Sequence, residues 1–239
     1  MEAEEIRDAI LATAGDLDLN RPATSVVSQL PMVEIRDNGI ETKHINEAAD
    51  RSHYRSIYLP LLRGVTPASL AAFDPVDQTL VTGQRQLTTV PTQALFMLNS
   101  KFVARQSYTL ATNLLAQTKL SDSERIQEAY RLTLGRPATR SEVSRDKKYI
   151  SHYEADYRDN VPSSPEAEPA AKVTPVSLAV ADGTTDGKPK IVAPVNPDDI
   201  DTTDVPVVEE VVQPRNEQEA AWLSFTRSLY ASAEFQFVQ

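Results

Sequence analysis

One face of the segment from Glu2 to Ala14 collects Ile6, Ala9, Ile10 and Thr13 at i, i+3, i+4 and i+7, the spacing of an amphipathic helix. Glu2, Glu4 and Glu5 fall in its first turn, where carboxylates suit the helix dipole, and Gly15 offers a left-handed stop. The rhythm is lost over residues 16–50, where Val26-Val27 and Met32-Val33-Glu34-Ile35 read as short extended pieces. The run Ser56-Ile57-Tyr58-Leu59-Pro60-Leu61-Leu62 favours β structure. Pro60 removes one ladder donor, however, and confines the run to an edge or an extended segment.

Helical signals then return. Pro67 suits the first position of a short helix reaching Phe73, and Asp74-Pro75 reads as a turn. Pro91 opens a helix containing Ala94, Leu95 and Leu98, which Asn99-Ser100 interrupts because both side chains compete for backbone hydrogen bonds. The next helix turns Phe102, Val103, Leu110, Leu114 and Leu115 inward. Ser121-x-x-Glu124 and Thr139-x-x-Glu142 are capping boxes. The first precedes Ile126, Ala129, Tyr130 and Leu134 and ends at Gly135; the second begins a polar helix extending to the neighbourhood of Tyr157.

Between Val161 and Pro214 the periodicity disappears. That stretch holds nine of the 16 prolines, ten acids, three lysines and no aromatic residue, a net charge of −7. So little apolar surface cannot offset the entropy of ordering the chain, which predicts a disordered linker. Asn216-x-x-Glu219 then caps a last helix with a Trp222, Phe225 and Leu229 stripe. Each of these side chains contributes about 1.5–3 kcal/mol if buried. The stripe needs the upstream helices to pack on, so the acidic stretch reads as an insertion within one body. The expected fold is mainly α: an irregular helical domain of residues 1–160 plus 215–239. It carries short extended segments near 26–35 and 56–62 and a long disordered acidic insertion at 161–214.

Composition narrows the chemistry. The 239 residues carry a formal charge of −10, the wrong sign for general phosphate-backbone binding, so no nucleic acid is expected as partner. The absence of cysteine removes disulfides, thiolate catalysis, Cys-ligated zinc and c-type haem attachment from this polypeptide. His44, His53 and His152 form no H-E-x-x-H pair, and no metal site is expected. No run of 18 apolar residues predicts a membrane span. The start, Met-Glu-Ala-Glu-Glu-Ile-Arg-Asp, has neither the basic nor the apolar region of a secretory signal, so none is expected in this chain.

Several motifs together resemble a known family. They are Glu2-Ala-Glu-x-Ile6-Arg7-Asp8-Ala9, Arg55-Ser-x-Tyr58-Leu-Pro60 and Phe73-Asp74-x-x-Asp77. With them go Thr82-Gly-x-Arg85-x-x-Thr88-Thr-Val-Pro91-Thr-Gln93-Ala-Leu95-x-x-Leu98-Asn99-Ser100-x-Phe102-Val103, Leu132-x-Leu134-Gly135-Arg136-x-x-Thr139-x-x-Glu142 and Glu234-Phe235-x-Phe237-Val238. The chain resembles the C-terminal half of the planctomycete-specific, cytochrome-associated domain of unknown function 1553 over nearly all of residues 1–160 and 216–239. Members of that family are typically long exported proteins, often with a haem-attachment segment. The resemblance therefore implies a fragment of a larger assembly, an extracytoplasmic (periplasmic) setting, and haem c only in a separate partner or a missing N-terminal region. Implied partners are proteins, cytochrome-containing or carbohydrate-processing.

Two uses of the polar residues remain open. Arg55, Arg63 and Arg85 flank Asp74 and Asp77, and with Thr88, Gln93 and Asn99 could line a polar pocket for a carboxylate or sulfate. The same arginines could instead pair with Asp74 and Asp77 and fasten a loop onto the helices. Asp74 and Asp77 also have the residue types of a glycosidase acid/base pair, although an Asp before Pro75 is an ordinary turn former. The acids of Asn196-x-Asp198-Asp199-x-Asp201-x-x-Asp204 lack the glycine and the closing glutamate of a calcium loop and read as solvated charge. Trp222 and Phe225 are core residues or, in a fragment, the exposed seam for a missing partner. The functional expectation is a noncatalytic interaction module; the alternatives are an incomplete polysaccharide hydrolase using Asp74, Asp77 and Arg85, or an inactive remnant.

Overall fold

Helix α1 spans Ala3–Ala14 in the computed structural model, which describes residues 1–24, 35–36, 39–40, 48–59, 66–76, 83, 90–160 and 212–237. Glu5 closes its start by accepting the Glu2 backbone N–H at 2.7 Å. Gly15 ends it at φ 82°, a left-handed conformation that costs glycine no Cβ clash. Ile6 and Ile10 face inward as their spacing requires, joined by Ala3, Leu11, Ala14 and, against its charge, Arg7. A two-residue antiparallel ladder pairs β1 (Ile35–Arg36) with β2 (Gly39–Ile40). A helical turn, α2, covers residues 48–51, and Asp18 bridges Tyr54 in parallel.

Ser56–Tyr58 forms a 3-10 turn inside the stretch expected to be extended, while Arg55 and Leu59 on either side keep extended backbone. The reason is local to Asp8: its Oδ1 accepts both the backbone N–H (2.7 Å) and the hydroxyl (2.6 Å) of Ser56, which pins the turn to α1. Helix α3 (Ala68–Ala71) starts one residue after Pro67, which stands outside it with ψ 138°. Helix α4 (Pro91–Asn99) has Pro91 at its first position, and Ser100, at ψ 132°, separates it from α5 (Lys101–Ala116). In α4 the buried positions are Gln93 and Met97, whereas Leu95 and Leu98 are exposed.

The boxes work as spaced. Ser121 accepts the Glu124 N–H at the start of α6 (Asp122–Leu134), and Glu124 accepts the Ser121 N–H at 2.7 Å. Gly135 closes α6 at φ 67°. Thr139 and Glu142 exchange the same pair of bonds before α7 (Arg140–Asn160). Asn216 accepts the Glu219 N–H at 2.8 Å at the start of α8 (Glu217–Tyr230), and α9 (Ala233–Gln236) follows.

Helix α8 packs against α5 and α7, and α1 packs against α5. The core they share includes Ile10, Phe102, Leu110, Trp222, Phe225, Tyr230 and Phe235. Trp222 meets Phe225 edge-on at 5.6 Å and Tyr230 meets Phe235 at 5.1 Å, orientations that suit ring quadrupoles. Residues 1–161 and 211–239 group as one unit and 162–210 as another. The second unit lies outside the described residues, as do the disorder expected there and the acidic run 196–204. Among the described residues no helix is long and apolar enough to cross a membrane.

Candidate functional site

Arg7 sits on the buried stripe of α1 with 1% of its surface exposed. One end of its guanidinium donates to the Tyr54 carbonyl (3.1 Å) and Ser56 Oγ (3.2 Å). The other donates to the carbonyls of Ala49 (2.8 Å) and Ser52 (2.6 Å). The group lies 5.3 Å over the Phe102 ring. Burial pulls its pKa down to about 10, against the attraction of Asp8 and Asp50. Asp8 completes the clasp through Ser56 and through Arg55, whose Nε is 3.6 Å from Oδ2. Two motifs of the resemblance, around Arg7-Asp8 and Arg55-Ser56, thus meet as one fastening of residues 49–56 onto α1.

A second clamp centres on Arg136. It donates to both oxygens of Glu142, at 3.0 and 2.8 Å, and to both oxygens of Glu234, and it lies 5.3 Å over the Tyr130 ring. Bidentate, charge-assisted bonds of this kind are the stronger class. They tie the α6–α7 connection to α9. Arg136, followed by the Thr139 backbone N–H, holds the Glu142 carboxyl down to about 2, and Arg136 lowers Glu234 as well.

Between α5 and residues 50–53 lies a groove of about 270 Å³, lined among others by Asp16, Asp50, Arg51, His53, Arg105 and Gln106. Arg105 donates to the Asp50 carbonyl at 3.1 Å. Burial pushes the Asp50 carboxyl above the usual carboxylate range, opposed by Arg105, Arg7 and Lys101. His53 Nδ1 stands 3.3 Å from the Asp16 carbonyl and 3.9 Å from its carboxylate. Tyr108, also lining the groove, donates to Glu219 Oε2 at 2.6 Å, which lowers the Glu219 pKa. Gln106 is 5% exposed, and its Oε1 has no hydrogen-bond partner among the described residues.

Four of the eight residues singled out for a polar pocket, Arg55, Asp74, Gln93 and Asn99, lie among the described residues. Arg55 pairs with Asp8. Asp74 adopts a left-handed backbone, φ 50°, ahead of Pro75. Gln93 is buried, and its Oε1 accepts the Val90 N–H at 3.4 Å, so it serves the start of α4. Asn99 ends α4 on the exposed side. Arg63, Asp77, Arg85 and Thr88 lie outside the described residues. Trp222 is fully buried and Phe225 is 2% exposed. Their seam reading is therefore corrected: α8 turns both rings against α5 and α7, so neither offers a partner a surface.

Arg7, Asp50, Arg105 and Gln106 were not anticipated. For Arg7 a signal existed: it is four positions from both Ala3 and Leu11, so a cation stands within an apolar stripe. Asp50, Arg105 and Gln106 converge only through packing of separate segments.

The described residues form a mainly helical body that carries the Arg7 and Arg136 fastenings and a polar groove. The chain belongs to the family described as a protein of unknown function (DUF1553), whose model matches residues 1–150. No curated protein and no solved structure matches it.

Proposed function

We propose that this chain is a noncatalytic binding and interaction module, part of a larger exported, cytochrome-associated protein. The observation that carries the reading is the use made of the polar motifs. Arg7, Asp8, Arg55 and Ser56 fasten one segment, and Arg136, Glu142 and Glu234 fasten another. Charges spent on internal fastening build a rigid surface; they are not poised to exchange protons with a substrate. The groove beside α5 remains as the place for a ligand. Any haem c belongs to a partner or to another segment, because this chain has no thiol to attach it. The partners that fit this reading are proteins, cytochrome-containing or carbohydrate-processing.

The test compares binding with turnover on the same protein. Cross-linking in native extracts, read by mass spectrometry, should recover a defined partner joined through residues of the 1–160 body. Purified chain should leave polysaccharides uncleaved. Cleavage that is lost in Asp77→Asn and Arg85→Ala variants of unchanged thermal stability would overturn the proposal in favour of a hydrolase.

A further inference from the structure

The groove beside α5 holds two opposite charges that neither fastening pairs. The Asp50 carboxylate is half-buried and accepts no hydrogen bond among the described residues. Arg105 donates one N–H to the backbone carbonyl of Asp50, not to its carboxylate, and its other N–H groups have no partner among the described residues. The two groups sense each other's charge without closing into an ion pair. The Asp50 oxygens and the remaining Arg105 nitrogens are open to the groove, whereas Gln106 Oε1 is sealed from it.

Neighbouring hydroxyls are already engaged: Tyr108 donates to Glu219 and Thr109 to the Arg105 carbonyl. What the groove leaves unmet is a carboxylate beside a guanidinium, each partly withdrawn from water, a state that costs free energy until both charges find partners. A lone anion on Arg105 would face Asp50, and a lone cation on Asp50 would face Arg105, Arg7 and Lys101. A neutral guest could hydrogen-bond to both groups but would leave both charges uncompensated. A molecule carrying both charges answers both, its carboxylate taking N–H groups of the planar Arg105 fork and its ammonium donating to Asp50. Because Arg105 is tied to the backbone of Asp50 itself, the two protein charges stay close together, and the ligand's must be close as well, as they are on a single carbon. The space is about 270 Å³, just below the range of about 300–1,000 Å³ typical for small-molecule pockets. That leaves room for a short side chain only.

We infer that this groove binds one small zwitterionic α-amino acid, its carboxylate on the unused N–H groups of Arg105 and its ammonium on the Asp50 carboxylate. The inference rests on the reading of the chain as a binding module and supplies the ligand class of its groove.

The experiment uses the full chain and calorimetry at neutral pH with glycine, L-alanine and L-serine as probes. Three capped forms of glycine serve as controls: N-acetylglycine keeps only the negative charge, glycinamide only the positive one, and N-acetylglycinamide neither. Glycine or one of the other two amino acids should bind saturably with a millimolar Kd, and each capped form at least about tenfold more weakly, the loss of one charge-assisted contact. Asp50→Asn, which keeps the shape and removes the charge, should weaken the amino acid by about tenfold or more and leave N-acetylglycine no weaker than before. If Asp50→Asn fails to fold, Arg105→Lys takes its place with the same expected loss of amino-acid affinity, and if neither folds the capped forms decide alone. Failure of all three amino acids to bind, a capped form that binds as tightly as its parent, or unchanged affinity in a folded variant would overturn the site. A parallel incubation of the same protein with polysaccharides separates the two proposals. Cleavage would sink the noncatalytic reading and leave the amino-acid site standing; neither amino-acid binding nor cleavage would sink the amino-acid site alone.

Discussion

Four hydrogen bonds from the Arg7 guanidinium reach acceptors 42 to 49 positions along the chain. Truncation would leave the Ala49, Ser52 and Tyr54 carbonyls short of a donor, so Arg7→Met should cost about 3 kcal/mol in urea unfolding. Arg7→Lys should recover only part of this, because an ammonium cannot reproduce a planar fork spanning two pairs of acceptors. Glu142 carries a pH dependence. Its carboxyl titrates at about 2 in the fold against an ordinary 4.5, so the unfolded chain takes up the proton first as pH falls. The clamp's contribution is therefore complete above pH 4.5 and is lost on descent towards pH 2. Glu142→Gln should lower the melting temperature at neutral pH, by the equivalent of about 1 kcal/mol given its partial exposure, and the deficit should vanish near pH 2.

At the scale of elements, the helix boundaries were legible because their signals are local. Caps at Ser121, Thr139 and Asn216 and stops at Gly15 and Gly135 act within four residues of themselves. Gly135→Ala should cost about 1 kcal/mol. A Cβ there meets no atom within 4 Å, so the loss comes from the backbone at φ 67° and not from a clash. Ser121→Ala should cost a similar amount, about 1 kcal/mol, by removing the acceptor for the Glu124 N–H; chemical denaturation of each variant checks both. Other features were not legible locally. The Ser56–Tyr58 turn depends on a carboxylate 48 residues away, and α4 buries Gln93 and Met97 while leaving Leu95 and Leu98 outside. Apolar composition says that a helix has a face to bury, but the neighbours decide which one.

For the whole molecule, the decisive contact is that of α8 with α5 and α7. Proteolytic nicking within residues 162–210 should therefore leave pieces 1–161 and 211–239 associated, as native mass spectrometry would show; their separation would contradict the packing. Trp222→Ala should cost about 3–5 kcal/mol by opening a cavity at a fully buried site. Trp222 is the one tryptophan in the chain, so its fluorescence reports this contact without interference. The polar sites were the least legible part. Asp50 meets Arg105 across 55 positions and Tyr108 meets Glu219 across 111, separations at which sequence carries no distance information. The sequence by itself determined the helical class, the ends of most helices and the chemistry that a chain without cysteine cannot perform, because each depends on composition or on residues a turn apart. Tertiary structure alone decided which carbonyls Arg7 reaches, which helices cover Trp222 and that a polar groove opens beside α5, because partners and convergence belong to the packed whole.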